Sequence, residues 1–380
     1  MTRVLLLSSR FLWPPFTGDR LRGTIWLDAL AQHADVALVA PDGNVPPHAP
    51  PFQFFPAARS FAGAARGVAR VLANGFPLQT LLAAPYAWRE AIERAQAEAG
   101  PFDVTIVLLS RLDPWVRASV NGGRRVLDAI DSLRQSAHQR AREAKPPMRW
   151  IWRSEEQRVA RAERDAVRAY DHVLVVSEED LAELGGNGSA VSNGVVVAAL
   201  DETPRRFDFG FWGRLAYFAN ADAARYLLDE IWPLIRKRRD TATLIVAGAD
   251  VPPSVRRRAK REGVTLLSPV EHMPSLARDV RVALLPLRYG SGESTKTMEA
   301  AEAGCAIVGT PKAFRGVAQL AAHARLADTP AAFADAAMQL LDDEHARRQM
   351  VDGLRATVAD RYARQTTLAR LAGIACGGVA

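Results

Sequence analysis

The chain has only two cysteines among its 380 residues, Cys305 and Cys376, which are too few for a disulfide framework and lack metal-ligand spacing. Its seven histidines also show no spacing typical of a metal site. No unbroken apolar run is long enough to cross a bilayer. A strand-like segment begins already at Val4, so the start of the chain does not resemble a signal peptide. We therefore expect a cytoplasmic protein without a metal site.

The common nucleotide-binding motifs are missing as well. The first predicted strand is followed by a single glycine, Gly18, whereas the dinucleotide fingerprint needs three glycines at fixed spacing. The chain has no Walker A sequence, and no two aspartates stand two positions apart to hold a divalent cation. These absences count against an NAD enzyme and a P-loop enzyme. A phosphate ligand would have to be neutralised by cationic side chains and backbone N–H groups.

Charge of one sign is in excess. The 49 basic residues outnumber the 42 acidic ones and give a net charge of +7, and only five of the basic residues are lysines. Two explanations stay open: codon composition, or attraction to anionic substrates and lipid headgroups. The arginines are spread along the chain and no basic-aromatic module is present, so the sequence does not favour nucleic-acid binding.

Apolar runs of strand length alternate with amphipathic segments, which is typical of parallel α/β folds. We predict two Rossmann-like domains whose parallel sheets face each other across a cleft, with ligands at the carboxyl ends of the strands. The predicted strands are residues 4–8, 35–40, 103–109, 125–129 and 172–177 in the first half, and 207–212, 243–247, 264–267, 282–287 and 306–309 in the second.

A glycine-rich and then polar stretch, residues 185–204, predicts the linker between the two domains. We place an N-terminal acceptor-binding domain at residues 1–188 and a C-terminal donor-binding domain at 189–360. A helix at 361–380 is expected to pack back towards the N-terminal domain.

The most informative segment is residues 286–311, which reads as the end of a strand, a glycine turn, a helix opening near Ser294 and a second strand. Gly290 and Gly292 allow close backbone approach to a ligand. Lys296 adds a positive charge one turn into the helix, and Glu299 follows on the same face. Backbone N–H groups and the lysine suit a phosphate, and the carboxylate suits sugar hydroxyls. The alternative is an ordinary strand-turn-helix in which the glycines only make the turn.

A second charged region, residues 137–170, carries many arginines around Trp150-Ile-Trp152. It is either a solvated helix with ion pairs along its surface, or an interfacial patch directed towards an anionic membrane or a lipid-linked acceptor.

Spaced motifs stand in the second half at Phe211-Trp-Gly-Arg-Leu215, Ile231-Trp-Pro-Leu-Ile235, Ala242-Thr-Leu-Ile-Val-Ala-Gly248, Val280-Arg-Val-Ala-Leu-Leu-Pro-Leu-Arg288 and Gly290-Ser-Gly with Lys296, Glu299-Ala300 and Gly304. Two more, Val175-Val-Ser177 and Ser192-Asn-Gly-Val195, lie upstream, in the segments that lead to the linker. Together they resemble the motifs of the retaining, nucleotide-sugar-dependent glycosyltransferases of family 4, the group 1 type. The likeness extends from about residue 172 to residue 311. It implies the GT-B architecture, in which two Rossmann-like domains carry donor and acceptor.

By this resemblance, Arg214 and Lys296 hold the diphosphate of the donor and Glu299 binds its ribose hydroxyls. Arg214 as a cap for sheet carbonyls, and Glu299 as a simple partner of Lys296, remain the structural alternatives. The loop at Val270 and Glu271 meets the base. The complete donor-binding set is Gly18, Gly213, Arg214, Val270, Glu271, Gly290, Gly292, Glu293, Ser294, Thr295, Lys296 and Glu299. Asp19, on the loop after the first strand, is placed near the diphosphate and the acceptor.

The chain also departs from the family pattern. Ser294 and Asn220 stand where cations are common, and Ser291 stands where many members have an acid, with Glu293 nearby as a substitute sugar contact. Arg20 or Arg22 could supply a missing positive charge.

Ile130 occupies the place of a common histidine. Asp128 and Asp131 remain the polar groups there, and either one orients the acceptor hydroxyl. A helix-capping role for Asp131 is the alternative.

These features predict an enzyme that moves a sugar from a nucleotide diphosphate donor to a hydroxyl acceptor with retained anomeric configuration and no further cofactor. The acceptor is a glycan, a lipid-linked molecule or a small molecule, and contact with an anionic membrane is compatible with the basic charge. One alternative is a nucleotide-sugar 2-epimerase, but that chemistry usually needs a histidine, which the signature segment lacks. Another is a binding protein that has lost turnover.

Overall fold

Two parallel β-sheets, each in its own α/β unit, form the framework of the computed structural model, which describes residues 1–120, 122–200, 203–270, 272–290 and 292–377. The first unit comprises residues 1–193 together with the chain from Gln365 onward, and the second comprises Gly194–Arg364. The predicted fold class of two Rossmann-like domains with parallel sheets is confirmed.

The sheet of the first unit has seven strands in the order β3-β2-β1-β4-β5-β6-β7, all paired in parallel. Its central strands are buried almost completely, as expected for a sheet covered by helices on both faces. The strands are β1 (Thr2–Ser8), β2 (Ala34–Pro41), β3 (Gln53–Ala57), β4 (Val104–Leu108), β5 (Arg124–Ile130), β6 (His172–Val175) and β7 (Gly188–Ala190).

Among the described residues of the first unit, seven helices precede the boundary between the units. Two of them, α5 and α6, follow one another and pack together along their length. Short 3-10 segments lie at Leu78–Leu82 and Arg117–Ser119. The helices are α1 (Gly18–Leu30), α2 (Phe61–Asn74), α3 (Trp88–Ala99), α4 (Asp113–Val116), α5 (Leu133–Glu143), α6 (Met148–Ala169) and α7 (Glu178–Leu184).

The sheet of the second unit has six parallel strands in the order β10-β9-β8-β11-β12-β13. A continuous apolar core surrounds it, with Phe209, Phe211 and Trp232 completely or almost completely buried. The strands are β8 (Phe207–Trp212), β9 (Leu244–Ala247), β10 (Val264–Leu267), β11 (Val280–Leu285), β12 (Ala306–Gly309) and β13 (Arg325–Leu326).

Most of the remaining helices belong to the second unit, and the last one, α15, lies almost entirely in the first unit. A π-helical segment, Leu227–Ile231, joins α8 to α9, and 3-10 segments lie at Pro311–Phe314 and Ala318–His323. None of the helices within the described residues is long and apolar enough to cross a membrane. The helices are α8 (Phe218–Tyr226), α9 (Trp232–Arg238), α10 (Pro253–Arg258), α11 (Met273–Arg278), α12 (Thr295–Glu302), α13 (Pro330–Asp342), α14 (Glu344–Arg361) and α15 (Arg364–Cys376).

Both sheets have the strand order of a Rossmann fold, in which the chain direction across the sheet reverses between the first and fourth strands of the unit. Ligands of such sheets bind at the carboxyl ends of the strands beside this switch point. In the first unit the switch point lies between β1 and β4, and in the second unit it lies between β8 and β11. The loops after these four strands are therefore where functional residues are expected.

Candidate active site

The switch point of the second unit brings together two segments of the predicted donor site. Gly213 and Arg214 directly follow β8, and Gly290 and Gly292 lie in the loop between β11 and α12. Because β8 and β11 are neighbouring parallel strands, both loops leave the same edge of the sheet. Residues about 80 positions apart in sequence thus meet at one place.

Two glycines make this close approach possible. Gly213 has φ +140°, and a Cβ built on it would lie 2.8 Å from Lys296 Cε and 3.0 Å from Lys296 Nζ. Gly248, just after β9, has φ +149°, and a Cβ there would lie 1.8 Å from the carbonyl oxygen of Gly213. Side chains at either position would be strained and would collide with their neighbours. The ammonium group of Lys296 therefore lies against the backbone at the end of β8.

Glu299 is held by an indole. Trp212, the last residue of β8, is completely buried, and its Nε1 donates a hydrogen bond of 3.0 Å to Glu299 Oε2. Lys296 and Glu299 lie one turn apart on α12 and interact electrostatically. We did not single out Trp212 as a site residue from the sequence, although it immediately precedes the Gly213-Arg214 pair.

Burial disfavours the charged forms of both Lys296 and Glu299. Burial lowers the pKa of Lys296 below its ordinary value, and Glu299 offsets this only in part. Burial likewise raises the pKa of Glu299, against the opposing effects of Lys296 and the Trp212 N–H. An anion beside Lys296 and hydroxyl donors beside Glu299 would stabilise the charged forms. The pair thus suits a ligand that carries both.

Arg214 lies at the carboxyl edge of the second sheet, as predicted, but its guanidinium already pairs with Asp250. Its Nε donates to Asp250 Oδ2 at 2.8 Å, and both side chains are more than half exposed. Asp250 follows β9 and has φ +54°, in the left-handed region. No motif in the sequence pointed to Asp250. A phosphate that binds Arg214 would compete with this carboxylate.

Asn220, which replaces a common cation, has a structural role here. It is buried, and its Nδ2 donates a hydrogen bond of 2.8 Å to the carbonyl oxygen of Arg214. It thereby fastens the loop after β8 at the point where Lys296 approaches.

The other residues of the predicted donor set lie at the start of α12 or after β10. Glu293 and Thr295 are partly buried, and Ser294, the N-cap of α12, donates its backbone N–H to the Arg315 carbonyl at 3.1 Å. Val270 packs against the core of the second unit, and Glu271 lies outside the described residues. Within the described ranges, no three His, Cys, Asp or Glu side chains gather as metal ligands would.

In the first unit, Asp19 is the centre of an ionic cluster. Its Oδ2 accepts a 2.6 Å bond from Arg111 Nη2 and lies 3.4 Å from Arg10 Nη1, and its Oδ1 accepts a 2.6 Å bond from the Thr17 hydroxyl. Gly18 opens α1 beside it, and a Cβ on Gly18 would meet nothing within 4 Å. Neither arginine belongs to a motif that the sequence alone indicates.

These contacts set the ionisation of Asp19. Burial alone would raise the pKa of Asp19, but the Thr17 hydroxyl and the charges of Arg111 and Arg10 together hold it below its usual value. Asp19 is therefore a stable carboxylate. A weak base of this kind suits the positioning of Arg111 better than the removal of a proton from an acceptor.

Asp128 does not fit its predicted catalytic role. Its side chain is completely buried, and its Oδ2 accepts bonds of 2.7 Å from Arg22 Nε and from Trp26 Nε1. Its Oδ1 accepts the Ile130 N–H at 3.2 Å. A carboxylate with these partners and no exposed surface does not reach an acceptor hydroxyl, so the structure assigns Asp128 to the core.

Arg22 is also unsuited to its predicted role as a substitute cation. Its side chain is fully buried, and besides Asp128 it binds the carbonyl oxygens of Val191 at 3.0 Å and Ser192 at 3.3 Å. The Arg22–Asp128 pair therefore ties α1 and β5 to Val191 and Ser192, just before the chain enters the second unit. Arg20 remains partly exposed, with Nη1 3.4 Å from the Pro14 carbonyl oxygen.

Asp131 follows a strained backbone position. Ile130 ends β5 with φ +66°, and Leu109, just after the neighbouring β4, has φ +69°. The left-handed region is costly for a β-branched residue, and such strain concentrates at functional sites. Asp131 is partly exposed and raises the pKa of Arg111 through its charge, opposing the larger effect of burial. Arg111 therefore interacts electrostatically with both Asp19 and Asp131.

Comparison with known proteins gives the site a family context. A family model described as glycosyl transferases group 1 matches residues 206–343. A search of curated protein sequences finds no match.

Solved structures are similar over nearly the whole chain. They include sucrose-phosphate synthase from Thermosynechococcus elongatus, with TM-score 0.74, 12% identity and 98% of both chains covered. The Staphylococcus aureus TarM G117R mutant in complex with UDP has TM-score 0.69 and 9% identity, with 97% of this chain and 98% of that chain covered. HepE from Anabaena in complex with UDP-glucose has TM-score 0.67 and 14% identity, with 98% of this chain and 99% of that chain covered.

The matched residues contain the part of the site that the second unit builds, from Gly213 to Glu299. The structural likeness at low identity adds the fold, two Rossmann-like units of the GT-B type. The match over residues 206–343 shows a group 1 glycosyltransferase domain in this part of the chain, and the similar structures show that the whole chain has the GT-B fold.

Proposed function

We propose that the protein transfers a sugar from a nucleotide diphosphate donor to a hydroxyl acceptor with retention of the anomeric configuration. The observation that carries this proposal is the arrangement at the end of β8, where Lys296 lies against Gly213 and Trp212 holds Glu299. One side of this arrangement suits a phosphate and the other suits hydroxyl groups. UDP or UDP-glucose in the similar TarM and HepE structures supports a uridine nucleotide as the first donor to test.

The donor roles follow from the charges. The Lys296 ammonium and backbone N–H groups at the start of α12 bind the diphosphate, helped by the positive end of the helix dipole. Glu299, oriented by Trp212, accepts hydrogen bonds from the ribose hydroxyls. Arg214 is the second cation, and the donor phosphate displaces Asp250 from it. The loop at Val270 and Glu271 is assigned to the base.

Catalysis then depends on the leaving group. As the bond between the anomeric carbon and the diphosphate oxygen breaks, the sugar gains oxocarbenium character and negative charge grows on the diphosphate. The acceptor oxygen then bonds to the anomeric carbon on the face that the diphosphate leaves, and the acceptor proton passes to the departing diphosphate. Lys296, Arg214 and the N–H groups stabilise that charge more in the transition state than in the bound donor. Protein groups alone carry this role in our proposal, without a metal ion or further cofactor.

The acceptor side is assigned to the first unit. Asp131 orients the acceptor hydroxyl, and Asp19 holds Arg111 beside it through the 2.6 Å ion pair. The acceptor is a saccharide or a lipid-linked hydroxyl compound.

Incubation with UDP-, GDP- and dTDP-sugars tests the proposal. We expect slow hydrolysis of at least one donor without an acceptor, and transfer with retained configuration, read by NMR of the product, once an acceptor is supplied. A new nucleotide sugar formed without an acceptor would instead identify an epimerase. Tight binding of a nucleotide sugar without hydrolysis or transfer to any acceptor would identify a binding protein, and absence of binding to any donor by calorimetry would refute the donor site.

The pKa of Lys296 predicts how donor affinity depends on pH. Diphosphate binding needs the ammonium form, which exists below the pKa and is lost above it. Because burial lowers the pKa of Lys296 below 10.5, affinity for UDP should fall as pH rises in a range where a free lysine is still charged. Calorimetry across alkaline pH measures this. The Lys296→Arg variant keeps its charge and should show a flat profile there; an equal decline in both proteins would contradict the assignment.

A further inference from the structure

The start of α6 exposes large apolar side chains. Met148, Trp150 and Ile151 are 46%, 64% and 43% exposed, and they follow the Pro146-Pro147 break between α5 and α6. Arg140 lies over the ring of Trp152, 4.8 Å from its centroid, and thereby links α5 to the same turn of α6. We call Met148, Trp150 and Ile151 the α6 tip. Exposed aromatic and aliphatic groups of this kind are typical of interaction surfaces.

A small arginine-lined cavity lies between α5 and α6 beside this tip. It has a volume of about 260 Å³ and is lined by Arg142, Arg149 and Arg153, with His138, Ala141 and Glu156. Glu156 Oε1 is 2.9 Å from His138 Nδ1. Among the described side chains, no carboxylate is ion-paired with any of the three arginines. A cavity with three guanidinium groups suits a phosphate group.

Another part of the first unit extends the same surface. Glu155, one turn after Ile151 on the same face of α6, accepts the N–H groups of Leu78 at 2.8 Å and Gln79 at 3.2 Å. This bond fastens the 3-10 segment Leu78–Leu82 to α6, and α2 packs against that segment. The exposed apolar residues here are Phe61, Val68, Leu78 and Leu82.

The charge of these segments is predominantly positive. Residues 43–89, which contain α2 and the 3-10 segment, include no aspartate or glutamate. Residues 133–154 carry six basic residues and one acidic residue. Apolar groups surrounded by arginines complement an anionic lipid surface, where the apolar groups enter the interface and the arginines meet headgroup phosphates.

We propose that the first unit docks on anionic phospholipid membranes through the α6 tip, with a headgroup phosphate in the cavity of Arg142, Arg149 and Arg153. The α2 face supplies a second apolar contact. None of these residues belongs to the donor site, so the inference does not depend on the proposed donor chemistry. Docking would place the enzyme at the surface where lipid-linked hydroxyl compounds lie.

Vesicle co-sedimentation of the full-length protein tests the docking. We expect binding to vesicles of phosphatidylcholine mixed with phosphatidylglycerol, weak binding to pure phosphatidylcholine, and release by high salt. Trp150→Ser with Ile151→Ser, and the triple variant Arg142→Gln, Arg149→Gln and Arg153→Gln, should each lower affinity for the mixed vesicles about tenfold or more.

Matched controls lie in the second unit. Arg256→Gln with Arg257→Gln removes two exposed charges from α10, and Leu326→Ser removes an exposed apolar group from β13. Neither should change vesicle binding, and all variants should keep the wild-type affinity for UDP. Wild-type affinity of the tip and triple variants for the mixed vesicles would overturn the proposal. So would equal binding of the wild-type protein to neutral and to mixed vesicles. Displacement of the protein from vesicles by free glycerol phosphate at headgroup concentration would show a site for a soluble phosphate instead. Binding of the protein to an acidic protein but not to vesicles would also overturn the proposal.

Discussion

Replacing Lys296 by alanine is expected to lower kcat/KM for donor turnover by about 10²–10³-fold, the usual effect of removing one charge-stabilising group from a transition state. The ammonium group lies against Gly213. Its loss leaves the partly buried Glu299 without its cation, so the pKa of Glu299 rises further and its carboxylate form becomes less stable. Hydrolysis rates with a UDP-sugar and UDP affinity by calorimetry measure the effect.

Two control variants separate binding from folding in this experiment. Lys237→Ala removes an exposed lysine from α9 and should leave turnover unchanged. Lys296→Met combined with Glu299→Gln removes both charges while keeping similar volume, so it should fold normally and still fail to bind UDP. Thermal unfolding confirms that each variant is folded. Wild-type UDP affinity in folded Lys296→Ala would contradict the proposed donor site.

Asp128→Asn is expected to destabilise the first unit by about 3–5 kcal/mol, the cost of removing one partner from a buried ion pair. Asparagine retains the shape of the side chain but leaves the charge of Arg22, which has no exposed surface, without a counter-ion. It also weakens the bond from Trp26 Nε1 to this side chain. Urea unfolding of wild type and variant, followed by probes in each unit, measures the loss.

The same variant distinguishes a core role from a catalytic role for Asp128. Asp35→Asn, at an exposed position on β2, is the matched control and should leave stability within experimental error. If Asp128→Asn unfolded like wild type but lost turnover, our assignment of Asp128 to the core would be wrong.

The donor side could be predicted largely from sequence because its residues stand in local motifs. Lys296 and Glu299 share one short helix, so their spacing indicated their proximity, whereas Gly213 and Arg214 were joined to them by the resemblance of their motif to the family. Asp250 could not be found this way. Its pairing with Arg214 depends on β8 and β9 being neighbours in the sheet. Asp250 itself does not belong to a sequence motif that points to a binding site.

The limit of prediction from sequence is clearer in the first unit. Arg111 lies 92 positions from Asp19, and only the pairing of β1 with β4 brings them together. Asp128 looked like a polar residue at a strand end, whereas its partners Arg22 and Trp26 lie on a helix more than 100 positions earlier. Burial of this kind depends on tertiary packing, which no local pattern in one sequence encodes.

All ten strands predicted from the sequence are present, with ends that differ by up to two residues. Strands β3, β7 and β13 were not predicted from the sequence. The first lies at the edge of its sheet and contains Pro56, which an edge strand tolerates, and the other two have only three and two residues. The charged region at 137–170 forms two helices, because Pro146 and Pro147 interrupt it.

The central claim is that the second unit binds the diphosphate of a nucleotide sugar at the end of β8. A crystal structure of the protein with UDP tests it most directly. We expect diphosphate oxygens within hydrogen-bonding distance of Lys296 Nζ and of backbone N–H groups at the start of α12, with the ribose hydroxyls on Glu299. UDP bound with its diphosphate away from Lys296 would contradict the claim.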